Sequence, residues 1–172
     1  MKKAGSFLFD NKLKWEGRER GVLFSAPTAS AIQVAAPKVF KGTEEGMWSP
    51  EELLLGALNS CIMTTFLFYA KREDLELVSF ESEVIGTVEI VDGKLRFTSI
   101  DVYPKIEVSG IVLKEAITQL FEKTKAHCLI SNSLSAPVYY HPVFMYGEKD
   151  HEYSHTCINC TKQGGCLENQ EH

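Results

Sequence analysis

The sequence predicts an α+β fold, and three observations carry that prediction. The run from Pro50 to Tyr69 is apolar at helical spacing and has a capped start. The stretch from Leu77 to Val108 alternates around Asp92-Gly93. The elements come in the order strands, helix, hairpin, helix, strand, which is not the repeated strand-helix alternation of parallel α/β folds.

The opening "FLFDNKLKWEG" alternates weakly and reads as a first strand, followed by the short β-like runs "GVLFSAP" and "SAIQVAAP". "KVFKGTEEGMW" is polar and glycine-bearing, and reads as a loop. Ser49 is then a good N-cap, Pro50 suits the first helical position, and Glu52 completes a capping box. Leu54, Ala57, Leu58, Cys61, Ile62, Thr65 and Tyr69 follow three-four spacing, while Leu53, Leu55 and Phe66 extend the apolar surface beyond one stripe. A helix apolar over so much of its circumference needs burial on more than one side, within its own domain or against a second subunit. Asp92-Gly93 suits a hairpin turn between two long strands. Leu113, Ile117, Leu120 and Phe121 mark a second helix, with Lys123 and Lys125 placed to suit its C-terminal end. "LISNSLSAP" turns the chain, and "VYYHPVFMYG" reads as a final strand that Pro142 assigns to an edge. Residues 1–147 form the folded domain. Residues 148–172 have almost no aliphatic side chains and form a Cys/His-rich tail without a core of its own.

The composition narrows the function. The chain has 172 residues, is 44% hydrophobic and carries a formal charge of −5 with both signs scattered. That balance argues against nucleic acid or an anionic membrane as partner. The first residues lack an apolar run of signal-peptide length, and no window reaches the roughly 18 apolar residues of a membrane span. The expected location is therefore the cytoplasm. Five cysteines, an odd number, do not suit a secreted disulfide framework. They point to thiol chemistry, metal ligation or plain core.

Cys61 in mid-helix and Cys128 at the end of the second helix belong to no CxxC motif, and each alone reads as a buried structural thiol. A reactive thiol needs a positive or hydrogen-bonding neighbour. Arg18 and Arg20 in "EGRERG" are the candidate cations. Glu51 and Cys61 lie ten residues apart on one helix, a rise of about 15 Å. To serve one site, they need an arginine bridge or a second subunit. In the tail, His155, Cys157, Cys160 and Cys166 offer thiolate and imidazole ligands that suit tetrahedral zinc, with His151 as a spare. A reduced tail without metal, or a redox role for these cysteines, are the alternatives.

"SPEELLLGALNSCIMTTF" followed by "HCLISNSL" resembles the OsmC/Ohr family, named for osmotically inducible protein C and organic hydroperoxide resistance protein. Pro50-Glu51 stands ten residues before Cys61, as in the family helix, and Cys128-Leu129-Ile130-Ser131-Asn132 matches the second cysteine and its Ser-Asn turn. The resemblance spans Trp15 to Tyr146. It implies an intertwined homodimer, with antiparallel sheets wrapped around two central helices, and a thiol peroxidase acting on organic hydroperoxides without a catalytic cofactor. It makes Cys61 the peroxidatic thiol, Cys128 the resolving thiol and Glu51 a catalytic glutamate, with Arg18 or Arg20 as the site arginine. A thiol or dihydrolipoyl group is the implied reductant. Leu54, Leu58, Ile62, Met63 and Phe66 are the expected substrate pocket. Leu129-Ile130 replaces the proline-aromatic pair of the Ohr branch, which leaves the subfamily and preferred peroxide open. The alternative function is a non-catalytic dimer of the same fold that binds a small apolar ligand and carries a metal-binding tail.

Overall fold

The computed structural model describes residues 5–25, 30–109, 114–147 and 156–157. The chain divides into two compact units, Met1–Leu54 and Leu55–His172, with the division falling inside the long helix.

The first unit holds β1 (Lys12–Gly17), β2 (Arg20–Phe24) and β3 (Ile32–Ala35), an antiparallel sheet in chain order. Gly17 and Arg18 both take positive φ, 99° and 49°, to close the β1–β2 hairpin. Trp15 Nε1 donates to the Arg18 carbonyl at 2.9 Å and fastens that turn. The segment after β3 is not wholly irregular: Lys38–Phe40 winds into a single 3₁₀ turn. Gly42 then passes so close to the chain that a Cβ there would overlap the Ala36 carbonyl oxygen. No larger residue fits this crossing without moving the backbone.

Helix α1 (Pro50–Arg72) begins with a reciprocal capping box. The Glu52 backbone N–H donates to Ser49 Oγ at 3.1 Å, and the Ser49 N–H donates to Glu52 Oε2 at 2.7 Å. Two N–H groups that a helix start would otherwise leave open are thus satisfied. Ser49→Ala is expected to cost about 1 kcal/mol, read by urea denaturation. No measurable loss would show that the cap is dispensable.

The second unit is built on a long antiparallel hairpin, β4 (Leu77–Val91) and β5 (Lys94–Ser109). Its two-residue turn, Asp92-Gly93, has φ of 50° and 74°, the left-handed pair that a tight hairpin requires. Helix α2 (Lys114–His127) follows, and then a five-residue helix α3 (Leu129–Ser133) where the sequence reads as a turn. The expected final strand is two strands, β6 (Val138–Tyr140) and β7 (Val143–Gly147), laid end to end along the free edge of β5 and both parallel to it. Pro142 has no N–H to place in a ladder, which explains the break. The His141 N–H still reaches the Val102 carbonyl at 2.8 Å. The short strand β8 (Thr156–Cys157) pairs antiparallel with β7.

The core of this unit lies between the helices and one face of the sheet. Leu58, Ile62, Phe66 and Ala70 form a buried i, i+4 stripe on α1. Ile100, Val102, Ile106 and Val108 alternate inward from β5, and Ile117, Leu120 and Phe121 close the core from α2. Phe121 is the hub, with ring centroids 6.3 Å from Phe66, 5.9 Å from Phe144 and 6.0 Å from Tyr140. Gly86 on β4 lets α1 approach, since a Cβ there would come within 2.9 Å of Leu55 and 2.5 Å of Phe97. Contrary to the sequence expectation, α1 is long and apolar enough to cross a membrane. One stripe of it, Leu58, Ile62, Phe66 and Ala70, is buried in the core of the second unit.

Candidate functional site

Cys61 and Cys128 are the two thiols that the structure brings together. Cys61 sits on a flank of α1, turned away from the centre of its buried stripe, and is half-buried. Thr65, one turn along, lies on the same flank. Cys128 is fully buried at the junction of α2 and α3, where an extended backbone (φ −66°, ψ 111°) caps the short helix.

The two sulfurs share a hydrogen bond but face different surroundings. Burial alone raises the Cys61 pKa. Hydrogen bonds from the Ile130 N–H, the Cys128 thiol, the Thr65 hydroxyl and the Leu129 N–H outweigh it and hold Cys61 below the ordinary 9.0. Burial also raises Cys128, and the adjoining Cys61 charge adds to it. Despite hydrogen bonds from the Ser131 and Ile130 N–H groups, the thiol is pushed up to about 11. Of the two thiols, Cys61 is therefore the more readily ionised, and Cys128 is the one that keeps its proton.

This asymmetry has a measurable consequence. Because thiolate is the attacking form, the alkylation rate of Cys61 should rise with pH and level off at a midpoint below 9.0. Cys128 should show no plateau before about pH 11. Iodoacetamide labelling at stepped pH, mapped by mass spectrometry, checks both. Equal labelling of the two at pH 7 would contradict the assignment. Linkage gives a second sign. Since Cys128 is raised on folding, its contribution to stability is complete below pH 9.0 and is lost as pH rises through about 11.

The Ser-Asn pair after Cys128 is structural. The Asn132 side-chain amide donates to the Ala126 carbonyl at 2.9 Å, and its backbone N–H donates to the Cys128 carbonyl at 3.1 Å. Tyr140 on β6 donates its hydroxyl to Ser131 Oγ at 2.8 Å. Burial raises the Tyr140 pKa against that hydrogen bond, and the two sulfurs add to the rise. Thr65 and Tyr140 were not singled out from sequence. The periodicity of α1 could have flagged Thr65, four residues from Cys61, but no local pattern marks Tyr140.

The other expected site residues fall differently. Arg18, Arg20 and Glu51 belong to the first unit, and Cys61 and Cys128 to the second. Arg18 lies exposed in the β1–β2 turn, while Arg20 is half-buried on β2. Arg20 Nε stands 3.9 Å from Glu44 Oε1, an ion-pair distance too long for a hydrogen bond. Arg20 Nε and Glu51 Oε2 are both buried without a hydrogen-bond partner among the described residues. Of the expected pocket, Leu58, Ile62 and Phe66 are core side chains with no exposure, because their flank of α1 faces the sheet. Leu54 is half-buried in the first unit. Met63 lines a shallow groove of about 280 Å³ with Gly56, Asn59, Ser60, Phe80 and Ser82. His151, His155, Cys160 and Cys166 lie outside the described residues. For Cys157, the backbone pairing with Val143 is described.

Comparison with known proteins agrees with this geometry. The OsmC-like protein family model matches residues 42–140, which include α1 and both thiols. The chain is 28% identical over 137 residues to the uncharacterised protein YmaD of Bacillus subtilis, covering 74% of this chain and 86% of that protein. An OsmC-like protein of unknown function from Vibrio cholerae superposes with a TM-score of 0.72 at 19% identity, covering 80% of this chain and 99% of the other. An organic hydroperoxide resistance protein from Elizabethkingia anophelis superposes with a TM-score of 0.62 at 17% identity, covering 84% and 98%. Together, the family match over more than half its length and the shared fold show that this chain belongs to the OsmC-like protein family.

Proposed function

We propose that the protein is a cysteine-based peroxidase that reduces organic hydroperoxides to alcohols. The observation that carries the reading is the unequal thiol pair, a half-buried Cys61 whose pKa is lowered beside a buried Cys128 whose pKa is raised. The Cys61 thiolate attacks the distal peroxide oxygen and the O–O bond breaks. The alkoxide takes a proton and leaves as alcohol, with Cys61 left as sulfenic acid. The Cys128 sulfur then attacks Cys61, the S–O bond breaks, and hydroxide leaves with the Cys128 proton as water. A dithiol of dihydrolipoyl type, or two monothiols, reduces the resulting disulfide by exchange. The cycle runs in the cytoplasm and draws on no cofactor.

Arginine and glutamate complete the site in this proposal. Arg20 is the better candidate for the cation, since its half-buried side chain carries an unpartnered donor, whereas Arg18 points from an exposed turn. The unpartnered carboxylate oxygen of Glu51 is a second group that a neighbouring subunit or substrate would satisfy. The protein acts as a homodimer. Leu67 and Phe68 on α1, and Ile90 and Leu95 at the hairpin tip, are large apolar side chains exposed on the single chain. Light scattering at the mass of one chain would remove the dimer from the proposal.

Zinc is proposed for His155, Cys157, Cys160 and Cys166, apart from the peroxidase cycle. One zinc per chain by elemental analysis, lost in the Cys160→Ser protein, is the expected result. A metal-free native protein would overturn it.

The test of the main proposal is to add a slight excess of cumene hydroperoxide to reduced protein and map the disulfides by mass spectrometry. A Cys61–Cys128 bond formed within seconds is expected. If only tail cysteines are oxidised, the proposal fails. Retention of full biological activity by Cys61→Ser would instead favour the non-catalytic binding dimer.

A further inference from the structure

A side-chain hydrogen bond links α3, which starts at Cys128, to the sheet. Helix α3 has five residues, starts at Cys128 and ends in an extended residue, Leu134. An element this short is not stable by itself, so its position must come from tethers. The Asn132 amide ties it back to α2 at Ala126. The hydrogen bond from Tyr140 to Ser131, 2.8 Å long, ties it forward to the sheet. Tyr140 is a firm anchor. It lies on β6, in register with Val102 of β5, its ring packs edge-on against the buried Phe121, and Lys125 sits over its face at 5.5 Å.

We propose that Tyr140 and Ser131 are positioning residues for the resolving step, holding α3 so that the Cys128 sulfur is directed at Cys61. The inference rests on the peroxidase reading and deepens it. Cys128 is the N-cap of α3, and the Asn132 backbone N–H donates to its carbonyl at 3.1 Å, so the helix that Tyr140 grips through Ser131 carries the resolving thiol at its start. Formation of the Cys61 sulfenate draws on α3 only through the N–H groups of its first residues, Leu129 and Ile130, and asks nothing of the direction of the Cys128 sulfur. Closure of the disulfide needs the Cys128 sulfur in line with the Cys61 S–O bond, and that alignment depends on where α3 rests. Loss of the tether should therefore slow closure more than the first oxidation.

The two steps can be read separately in a single turnover with cumene hydroperoxide. Dimedone capture reports the sulfenate, and quenched mass mapping reports the Cys61–Cys128 disulfide. In Tyr140→Phe, which keeps the ring and its packing, closure should slow on the order of tenfold, as expected for a small misplacement, and sulfenate formation by a clearly smaller factor. Ser131→Ala should behave alike, and Ser131→Thr, which keeps the acceptor oxygen, should restore closure. Tyr139→Phe, a change to the exposed neighbouring tyrosine on the same strand, should close at the wild-type rate. Wild-type closure in Tyr140→Phe overturns the inference. So does equal slowing of both steps, which marks a general loss of fold, or a Ser131→Thr protein as slow as Ser131→Ala. If wild-type protein forms no disulfide with hydroperoxide, the peroxidase proposal fails. The tether is then tested by oxidising the same variants with diamide, which closes the thiol pair without peroxide.

Discussion

Cys61→Ser is expected to lower hydroperoxide consumption by on the order of 10³-fold or more, the usual result of removing a covalent nucleophile. A serine hydroxyl cannot replace a thiol whose ionisation is favoured by the Ile130 N–H, the Cys128 thiol and the Thr65 hydroxyl. Cys128→Ser should behave differently. The first turnover should proceed and stop at the Cys61 sulfenate, which then drifts to sulfinic acid under excess peroxide. Substrate loss with dithiothreitol as reductant measures steady turnover, and intact mass measures the stalled species. A Cys61→Ser protein that keeps about a tenth of wild-type activity would refute Cys61 as the nucleophile.

Phe121→Ala is expected to cost about 3–5 kcal/mol, the range for truncating a buried aromatic ring. Phe121 is fully buried and touches three other aromatic rings, from α1, β6 and β7, so its removal leaves a cavity that several elements would have to collapse to fill. Urea denaturation at pH 7 gives the loss directly. Phe121→Leu should fall well short of it. A loss for the alanine variant below about 1 kcal/mol would show that the aromatic cluster is loosely packed. Because Tyr140 leans on the same ring, surviving Phe121→Ala protein should also close its disulfide more slowly than wild type.

Features with local causes were legible in the sequence. The Ser49–Glu52 box and the Asp92-Gly93 turn each need only neighbouring residues, and both stand where the sequence puts them. The thiol pairing of Cys61 with Cys128 came from the family resemblance and not from spacing, because two helices can meet at many registers. Three features depend on distant partners and could not be read. Periodicity marks α1 as apolar but does not say which flank meets the sheet, so Leu58, Ile62 and Phe66 were expected in a pocket and are core. "VYYHPVFMYG" has one composition, yet Pro142 splits it, and the edge of β5 takes up both halves. Tyr140 has a role only because α3 folds back to within reach of its hydroxyl. Arg18 and Arg20 are two residues apart, and the turn at Gly17 and Arg18 leaves the first exposed while β2 holds the second half-buried.

The parallel seating of β6 on β5 has a consequence for how the chain folds. The β4–β5 hairpin closes through a two-residue turn and can form on a microsecond scale without waiting for distant segments. β6 cannot join until α2 and α3 have carried the chain back alongside β5, a non-local step that is slow by comparison. During synthesis, Cys61 therefore emerges well before Cys128 and Tyr140. Pulsed hydrogen exchange during refolding should protect the amides of β4 and β5 ahead of those at Cys128 to Tyr140. The thiol pair would then be completed last, by the arrival of a three-residue strand.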